Sequence, residues 1–243
     1  LLALEDLPEA AFAGRDLVYV TALSNDSAQC FPDVVARGRA AGAFVAANPG
    51  IRQLTGRGEA FLDHLGSVDL LALNRVEAEA LIPALSVRRI SHAPALAAPQ
   101  GGADEMPRLI REGLSFGGYD MELASFCAAV QALGCGRVVV TDGAQGAYLA
   151  DEEGLWFTPT HPVEVRGTAG AGDAFTSTCA TLLAQGRAPV EVLESAALNA
   201  AAVVAEIDTQ SGLCEAGALA KRRSNLPSRL KAVCRRWWGR SDP

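Results

Sequence analysis

No uninterrupted apolar run in this chain reaches the roughly 18 residues that a membrane-crossing helix needs. The longest candidate, "SAALNAAAVVAEI" from Ser195, is shorter than that and carries Asn199 and Glu206. No CxxC pair occurs among the six cysteines, at 30, 127, 135, 179, 214 and 234. In a chain of 243 residues that pattern reads as reduced, buried thiols rather than a disulfide framework, and it argues against a zinc site. The three histidines, His64, His92 and His161, lie far apart, and each reads as structural or surface. The opening "LLALEDLPEAAF" has no basic start and places Glu5 and Asp6 early, so it does not read as a signal peptide. A cytoplasmic location is the expectation.

What is present suits a folded domain. Hydrophobic residues make up 49% and charged residues 20%, enough for a buried core and against bulk disorder. The net charge of −7 is uneven. Residues 221–243 hold eight Lys or Arg against Asp242 alone, a net +7, so the first 220 residues carry −14. An acidic body of that kind argues against nucleic acid as a partner. The division suggests a core over 1–220 and a basic tail over 221–243.

Apolar periodicity gives a repeating order. "DLVYVTAL" (16–23), "AFVAANPG" (43–50), "VDLLALN" (68–74) and "RVVVTDG" (137–143) read as strands. "DSAQCFPDVVARGRAAG", "TGRGEAFLDHLGS", "RVEAEALIPAL" and "MELASFCAAVQALG" read as helices between them. Strand and helix in alternation predict a mostly parallel sheet covered by helices. Residues 86–107, rich in Ala, Pro and Gly, read as a surface insertion. "GAYLADEEGLWFTP" predicts a hairpin turning near Glu153 and Gly154. Two helices are predicted after it, over 174–186 and 189–207, with Pro189 in the first turn of the second.

The stretch "RGTAGAGDAF" (166–175) sets three glycines and then Asp173 ahead of a helix. A helix N-terminus presents unpaired backbone N–H groups and partial positive charge, and glycines let those groups converge on an anion. The spacing suits phosphate. Asp173 beside it fits a base that takes a proton from an attacking hydroxyl, or equally an acid stabilising the start of a helix.

"GTAGAGDAF" resembles the C-terminal signature of the ribokinase-like (PfkB-type) carbohydrate kinases, whose core is Gly-Ala-Gly-Asp. Asn74 and Glu77 in "LNRVEAEAL" match that family's Asn-x-x-Glu motif. "VVVTDGAQGAYL" resembles its Thr-x-Gly-x-x-Gly nucleotide turn, and "ALNAAAVVAE" the helix that borders its adenine pocket. The resemblance covers roughly residues 15 to 215. No Walker P-loop, G-x-x-x-x-G-K-[ST], occurs. The resemblance implies a three-layer α/β/α fold and a reaction using ATP and Mg2+. Asp173 becomes the base, and the amides of Gly170, Ala171 and Gly172 an anion hole. Glu77 becomes a Mg2+ partner through water, and Asn74 a contact to phosphates or metal. Thr141, Gly143, Gly146 and Thr168 shape the nucleotide side, and Asn199 is implied to face the adenine. Read without the family, Asn74 and Glu77 equally describe a helix N-terminus with an acid in its first turn.

Two departures from the family stand out. Gly167 occupies the position where members often carry an Asp that supports a monovalent cation site, so no carboxylate is available here for potassium. The fold implied is truncated at the N-terminus: roughly one hundred further residues, with a substrate motif and a small β lid, are expected ahead of "DLVYV". This chain by itself is therefore expected to bind nucleotide and to transfer phosphoryl groups poorly. An open sheet edge makes self-association, as a homodimer, an expectation. In the tail, Leu226, Leu230, Val233, Trp237 and Trp238 recur at near-helical spacing, which reads as a frayed or docked C-terminal helix, or as a membrane-surface or nucleic-acid contact. Two functions follow: an ATP-dependent kinase of a sugar or nucleoside hydroxyl, or a catalytically silent nucleotide- or sugar-binding regulator on the same fold.

Overall fold

The structure, a computed structural model, describes residues 2–88 and 106–227 and the backbone of 235–239. Most of the insertion read at 86–107, and Leu230 and Val233 of the tail, lie outside the described residues.

Four strands run parallel: β1 (Leu17–Val20), β2 (Phe44–Ala47), β3 (Leu70–Asn74) and β6 (Arg137–Thr141), adjacent in that order. The crossovers are helical: α1 (Phe31–Ala40), α2 (Ile51–Leu62) and, between β3 and β6, α3 (Arg75–Val87), α4 (Arg108–Glu112) and α5 (Leu123–Ala132). Beyond β6 the sheet changes direction. β7 (Ala147–Ala150), β8 (Gly154–Thr158) and β9 (Arg235–Gly239) continue it antiparallel. A separate hairpin, β4 (Leu114–Phe116) with β5 (Tyr119–Met121), turns at Gly117 and Gly118. Both of those glycines have positive φ, +59° and +83°, the conformation that a two-residue hairpin turn demands.

The central strands are apolar without interruption because both faces are covered. Leu71, Leu73, Val138 and Val140 pack with α1, α2, α3 and α5 on one side. Leu70, Ala72, Val139 and Leu149 pack on the other side against Phe175, Cys179 and Val192 of α6 (Ala171–Ala184) and α7 (Pro189–Val204). The three-layer α/β/α architecture follows from this period-two sorting.

Two details differ from the sequence reading. The helical spacing in the tail gives no helix at its end: Arg235–Gly239 is strand β9, with Trp238 opposite Leu155 of β8. Tryptophan is a good strand former, and β8 offers an open ladder. Across the boundary drawn at 220, helix α8 (Ala216–Ser224) runs without a break. It is tied to α7 by Arg223, whose guanidinium reaches Glu191 at 3.3 Å and Glu194 at 3.7 Å.

Candidate active site

In a sheet of this kind the carboxyl ends of the parallel strands hold the ligand crevice. Here Asn74, the last residue of β3, lies in register with Thr141, the last residue of β6. The Asn-x-x-Glu segment and the Thr-x-Gly-x-x-Gly turn are therefore neighbours in space.

Asn74 and Glu77 form a reciprocal cap at the start of α3. The amide of Glu77 donates to Asn74 Oδ1 at 2.9 Å, and the amide of Asn74 donates to Glu77 Oε2 at 2.8 Å. The capping reading of this pair is thus realised. It leaves Glu77 Oε1 outside the cap. Burial pushes the Glu77 carboxyl up from its ordinary range, and the nearby Asp173 pushes it the same way, against the two cap hydrogen bonds. Two carboxylates in each other's field make a place where a divalent cation would be favourable.

Asp173 is exposed in the first turn of α6. Gly170 precedes that helix in the left-handed conformation, φ +80°, and lies so close to Thr209 that a Cβ there would sit 2.8 Å from the Thr209 Cβ. The helix begins at Ala171, three residues earlier than its apolar pattern suggested, so Ala171 and Gly172 contribute first-turn amides. The Ala171 N–H also makes a long bond, 3.4 Å, to the carbonyl of Thr168. A Cβ on Gly172 would meet nothing within 4 Å, so space is open in front of this turn.

The turn after β6 is shaped by glycine. Gly143 has φ +55° and Gly146 φ +110°, and a Cβ on Gly146 would fall 2.4 Å from the carbonyl oxygen of Thr158. Buried Asp142 sits within this turn. Its Oδ1 faces Arg75 Nε at 3.3 Å and Arg108 Nη1 at 3.5 Å, while its Oδ2 has no partner. Burial raises the Asp142 carboxyl pKa, and the two guanidiniums oppose the rise.

A cavity of about 490 Å3 joins the two glycine segments. Thr141, Gly143, Gly146, Thr168, Ala171 and Gly172 all line it. Asn74, Glu77, Gly170 and Asp173 do not, although Glu77 and Asp173 interact electrostatically beside it. Asn199 is also absent from the wall. It is buried between α6 and α7, where its Nδ2 donates to Thr178 Oγ1 at 3.0 Å and its Oδ1 accepts the Cys214 amide at 2.9 Å. Phe175, Ala200, Ala201 and Val204 form much of the apolar wall instead. Sequence reading named none of these four as a site residue, although Ala200, Ala201 and Val204 belong to the segment "ALNAAAVVAE" whose resemblance implied the border of the adenine pocket.

Tyr19 is another residue that the sequence reading passed over. Its hydroxyl lies 2.6 Å from Thr176 Oγ1. Thr176 in turn donates to the carbonyl of Gly172 at 2.9 Å, so the Tyr19 O–H is the donor of the pair. Burial raises the Tyr19 pKa, its bond to Thr176 lowers it, and Asp173 and Glu77 both add to the rise.

The potassium expectation has a geometric counterpart. The amides of Arg166 and Gly167 both donate to the carbonyl of Val204. A Cβ on Gly167 would lie 2.9 Å from the carbonyl oxygen of Glu206 and 3.1 Å from that of Ile207. Backbone thus approaches the place where a side chain at 167 would begin.

Among the described residues no helix is long and apolar enough to cross a membrane, and no group of three or more His, Cys, Asp or Glu side chains is placed to hold a metal by itself. Ions of the Mg2+ type need no such group, since one or two carboxylates and the phosphates of a substrate suffice.

Comparisons with known proteins bear on the fold and the family. The family described as "pfkB family carbohydrate kinase" matches residues 117–216. "Bifunctional protein HldE" of Rhodopseudomonas palustris (strain BisB18) is 35% identical over 89 residues, which are 36% of this chain and 18% of that protein. A fructokinase from Xylella fastidiosa solved with bound ATP superposes with a TM-score of 0.65 at 19% identity, over 91% of this chain and 65% of that one. An E. coli protein assigned as a ribokinase II, solved with ATP and Mg2+, gives 0.65 at 17% identity over 90% and 62%. A ribokinase from Thermotoga maritima gives 0.61 at 18% over 91% and 61%. The chain spans less than two thirds of the length of each of these proteins. The chain therefore has the ribokinase-like fold, with its residues 117–216 matching the pfkB family of carbohydrate kinases.

Proposed function

We propose that this chain carries the nucleotide-binding and phosphoryl-transfer elements of an ATP-dependent kinase acting on a hydroxyl of a sugar or nucleoside. The observation that carries the reading is the single cavity lined by both the Thr141–Gly146 turn and the Thr168–Gly172 loop, opening beside Asp173 and Glu77. The family match over 117–216, which includes both segments, supports it.

In this reading the base and ribose of ATP lie in the cavity and the triphosphate runs toward the first turn of α6. The amides of Ala171 and Gly172, with the opening of the helix at Gly170, face the charge that grows on the transferring group. Asp173 accepts the proton of the acceptor hydroxyl. The acceptor oxygen then bonds to the γ-phosphorus as the bond from that phosphorus to the β–γ bridging oxygen breaks, and ADP departs with the electron pair. Glu77 Oε1 and the phosphates would hold Mg2+, which when bound offsets the negative charge of the phosphates. The Asn74 cap fixes the rotamer of Glu77 for that task.

Calorimetry of the chain with Mg·ATP, followed by a coupled assay of the protein over a panel of sugars and nucleosides, tests the reading. Binding in the presence of Mg2+ is expected, with poor transfer to such a hydroxyl by this chain alone. Absence of nucleotide binding would remove the reading.

A further inference from the structure

We infer that the cavity binds purine nucleoside triphosphates without using side chains to tell adenine from guanine, so that ATP and GTP are accepted alike. The inference rests on the nucleotide reading of the cavity and concerns its base end.

Three observations carry it. First, among the described residues the cavity wall holds no carboxylate, carboxamide, ammonium or guanidinium side chain. Such groups present a fixed donor or acceptor to the edge at which adenine and guanine differ, whereas a hydroxyl or a neutral imidazole can do either. Second, the carboxamide best placed in sequence to read the base is consumed. Asn199 spends its Nδ2 on Thr178 and its Oδ1 on the Cys214 amide, and both bonds are internal to the protein. Turning it toward the cavity would leave a buried hydroxyl and a backbone N–H without partners, at about 1–3 kcal/mol for each group. Third, the hydroxyl protons at this end are engaged as well. Thr158 Oγ1 donates to the Pro159 carbonyl at 3.3 Å, and Thr160 Oγ1 donates to the Ala144 carbonyl at 3.2 Å.

What remains on the wall is apolar surface, backbone, the hydroxyls of Thr141 and Thr168 at the phosphate end, and His161. The Nε2 of His161 is buried without a hydrogen-bond partner. Burial lowers the His161 pKa and so favours the neutral ring. A neutral imidazole exists as two tautomers, one presenting an acceptor at Nε2 and the other a donor. It can therefore meet the amino group of adenine or the carbonyl oxygen of guanine, and it does not choose between them.

The magnitude separates this from the alternative. A site that hydrogen-bonds the distinguishing group rejects the wrong ligand by about 10^4 to 10^5, whereas an apolar pocket discriminates by roughly 10- to 200-fold. Isothermal titration of the full chain with ATP, GTP and ITP, each with Mg2+, is expected to give dissociation constants within about tenfold of one another. Inorganic tripolyphosphate is expected to bind more weakly than any of the three. Asn199→Ala should leave the ATP-to-GTP ratio unchanged if the variant folds, and the unaltered chain decides the matter by itself if it does not. ATP and GTP affinities that differ by more than about tenfold, in either direction, overturn the inference and leave the nucleotide reading standing. Tripolyphosphate binding as tightly as ATP overturns it too, since the base would then not be held. Failure of all four ligands to bind overturns both.

Discussion

The hydroxyl of Tyr19 bonds to that of Thr176 across 2.6 Å, and Thr176 passes the contact on to the carbonyl of Gly172. Tyr19 stands on β1 and Thr176 on α6, so the sheet holds the first turn of the helix by its carbonyl side. The Ala171 amide of that turn keeps only a long bond, 3.4 Å, to the Thr168 carbonyl. Rigid placement of such donors is what makes them effective toward developing charge.

Removing this tether should be measurable. Tyr19→Phe deletes one bond and leaves Thr176 bonded to Gly172, at a cost of about 1 kcal/mol in urea unfolding. Thr176→Val deletes both bonds, at about 1–3 kcal/mol. The double variant should cost less than the sum of the two, because the residues act as one chain. Full additivity would mean that the two hydroxyls work independently.

Asp173→Asn keeps the shape of the α6 turn and removes the proposed base. Turnover of the protein on its acceptor should fall by about 10^2- to 10^4-fold, with Mg·ATP affinity in calorimetry largely unchanged. Turnover close to that of the parent protein would reassign Asp173 to a purely structural place at the helix start.

Glu77 links stability to pH. Its folded-state pKa is raised, chiefly by burial, so the folded chain holds that proton more tightly than the unfolded chain does. Stability from this group is therefore greatest below the ordinary glutamate value of 4.5 and falls as pH rises through the raised value. Glu77→Gln keeps an oxygen for the Asn74 amide and removes the ionisation. Urea unfolding across this pH range should show a shallower fall for the variant. Identical pH slopes for the two proteins would contradict the assignment.

Potassium should have little effect on turnover when sodium, potassium and tetramethylammonium salts are compared. The reason is that Gly167, lying against the Glu206 and Ile207 carbonyls, supplies no carboxylate. Gly167→Asp should not create a potassium response. It should destabilise the chain by about 1–3 kcal/mol, since the new side chain must push those carbonyls aside. A selective rise with potassium in the unaltered protein would show that other groups build a cation site.

Much of this architecture was legible in the sequence because buried strands and amphipathic helices carry strong periods. β3 and β6 read directly from "LLALN" and "RVVVT", whose two faces are both covered. The hairpin at 114–121 was missed even though Gly117–Gly118 between short apolar runs is a turn signal, because its strands are only three residues each. The start of α6 was placed late because glycine weakens the helical pattern, yet first-turn residues need no helix propensity if they are fixed from outside, as Gly170 is by Thr209. The glycine segments found each other in space as their motifs suggested. Asn199 did not reach the cavity, since which way a polar side chain turns on an apolar helix depends on neighbours such as Thr178 and Cys214 that no local pattern reveals.

The change of direction at β6 divides the sheet by the distance along the chain that each pairing must close. β6, β7 and β8 are successive strands joined by short turns, so their ladders pair residues near in sequence. The β3–β6 ladder brings position 74 to position 141 and must close the whole intervening segment before any bond rewards it. Local ladders form early and distant ones late, so the order of assembly should run from the 137–158 meander outward to β3, β2 and β1. Pulse-labelling hydrogen exchange during refolding should protect amides of β7 before those of β2. The glycine turn at 142–146, lying inside the meander, would then take shape before the sheet that completes its cavity.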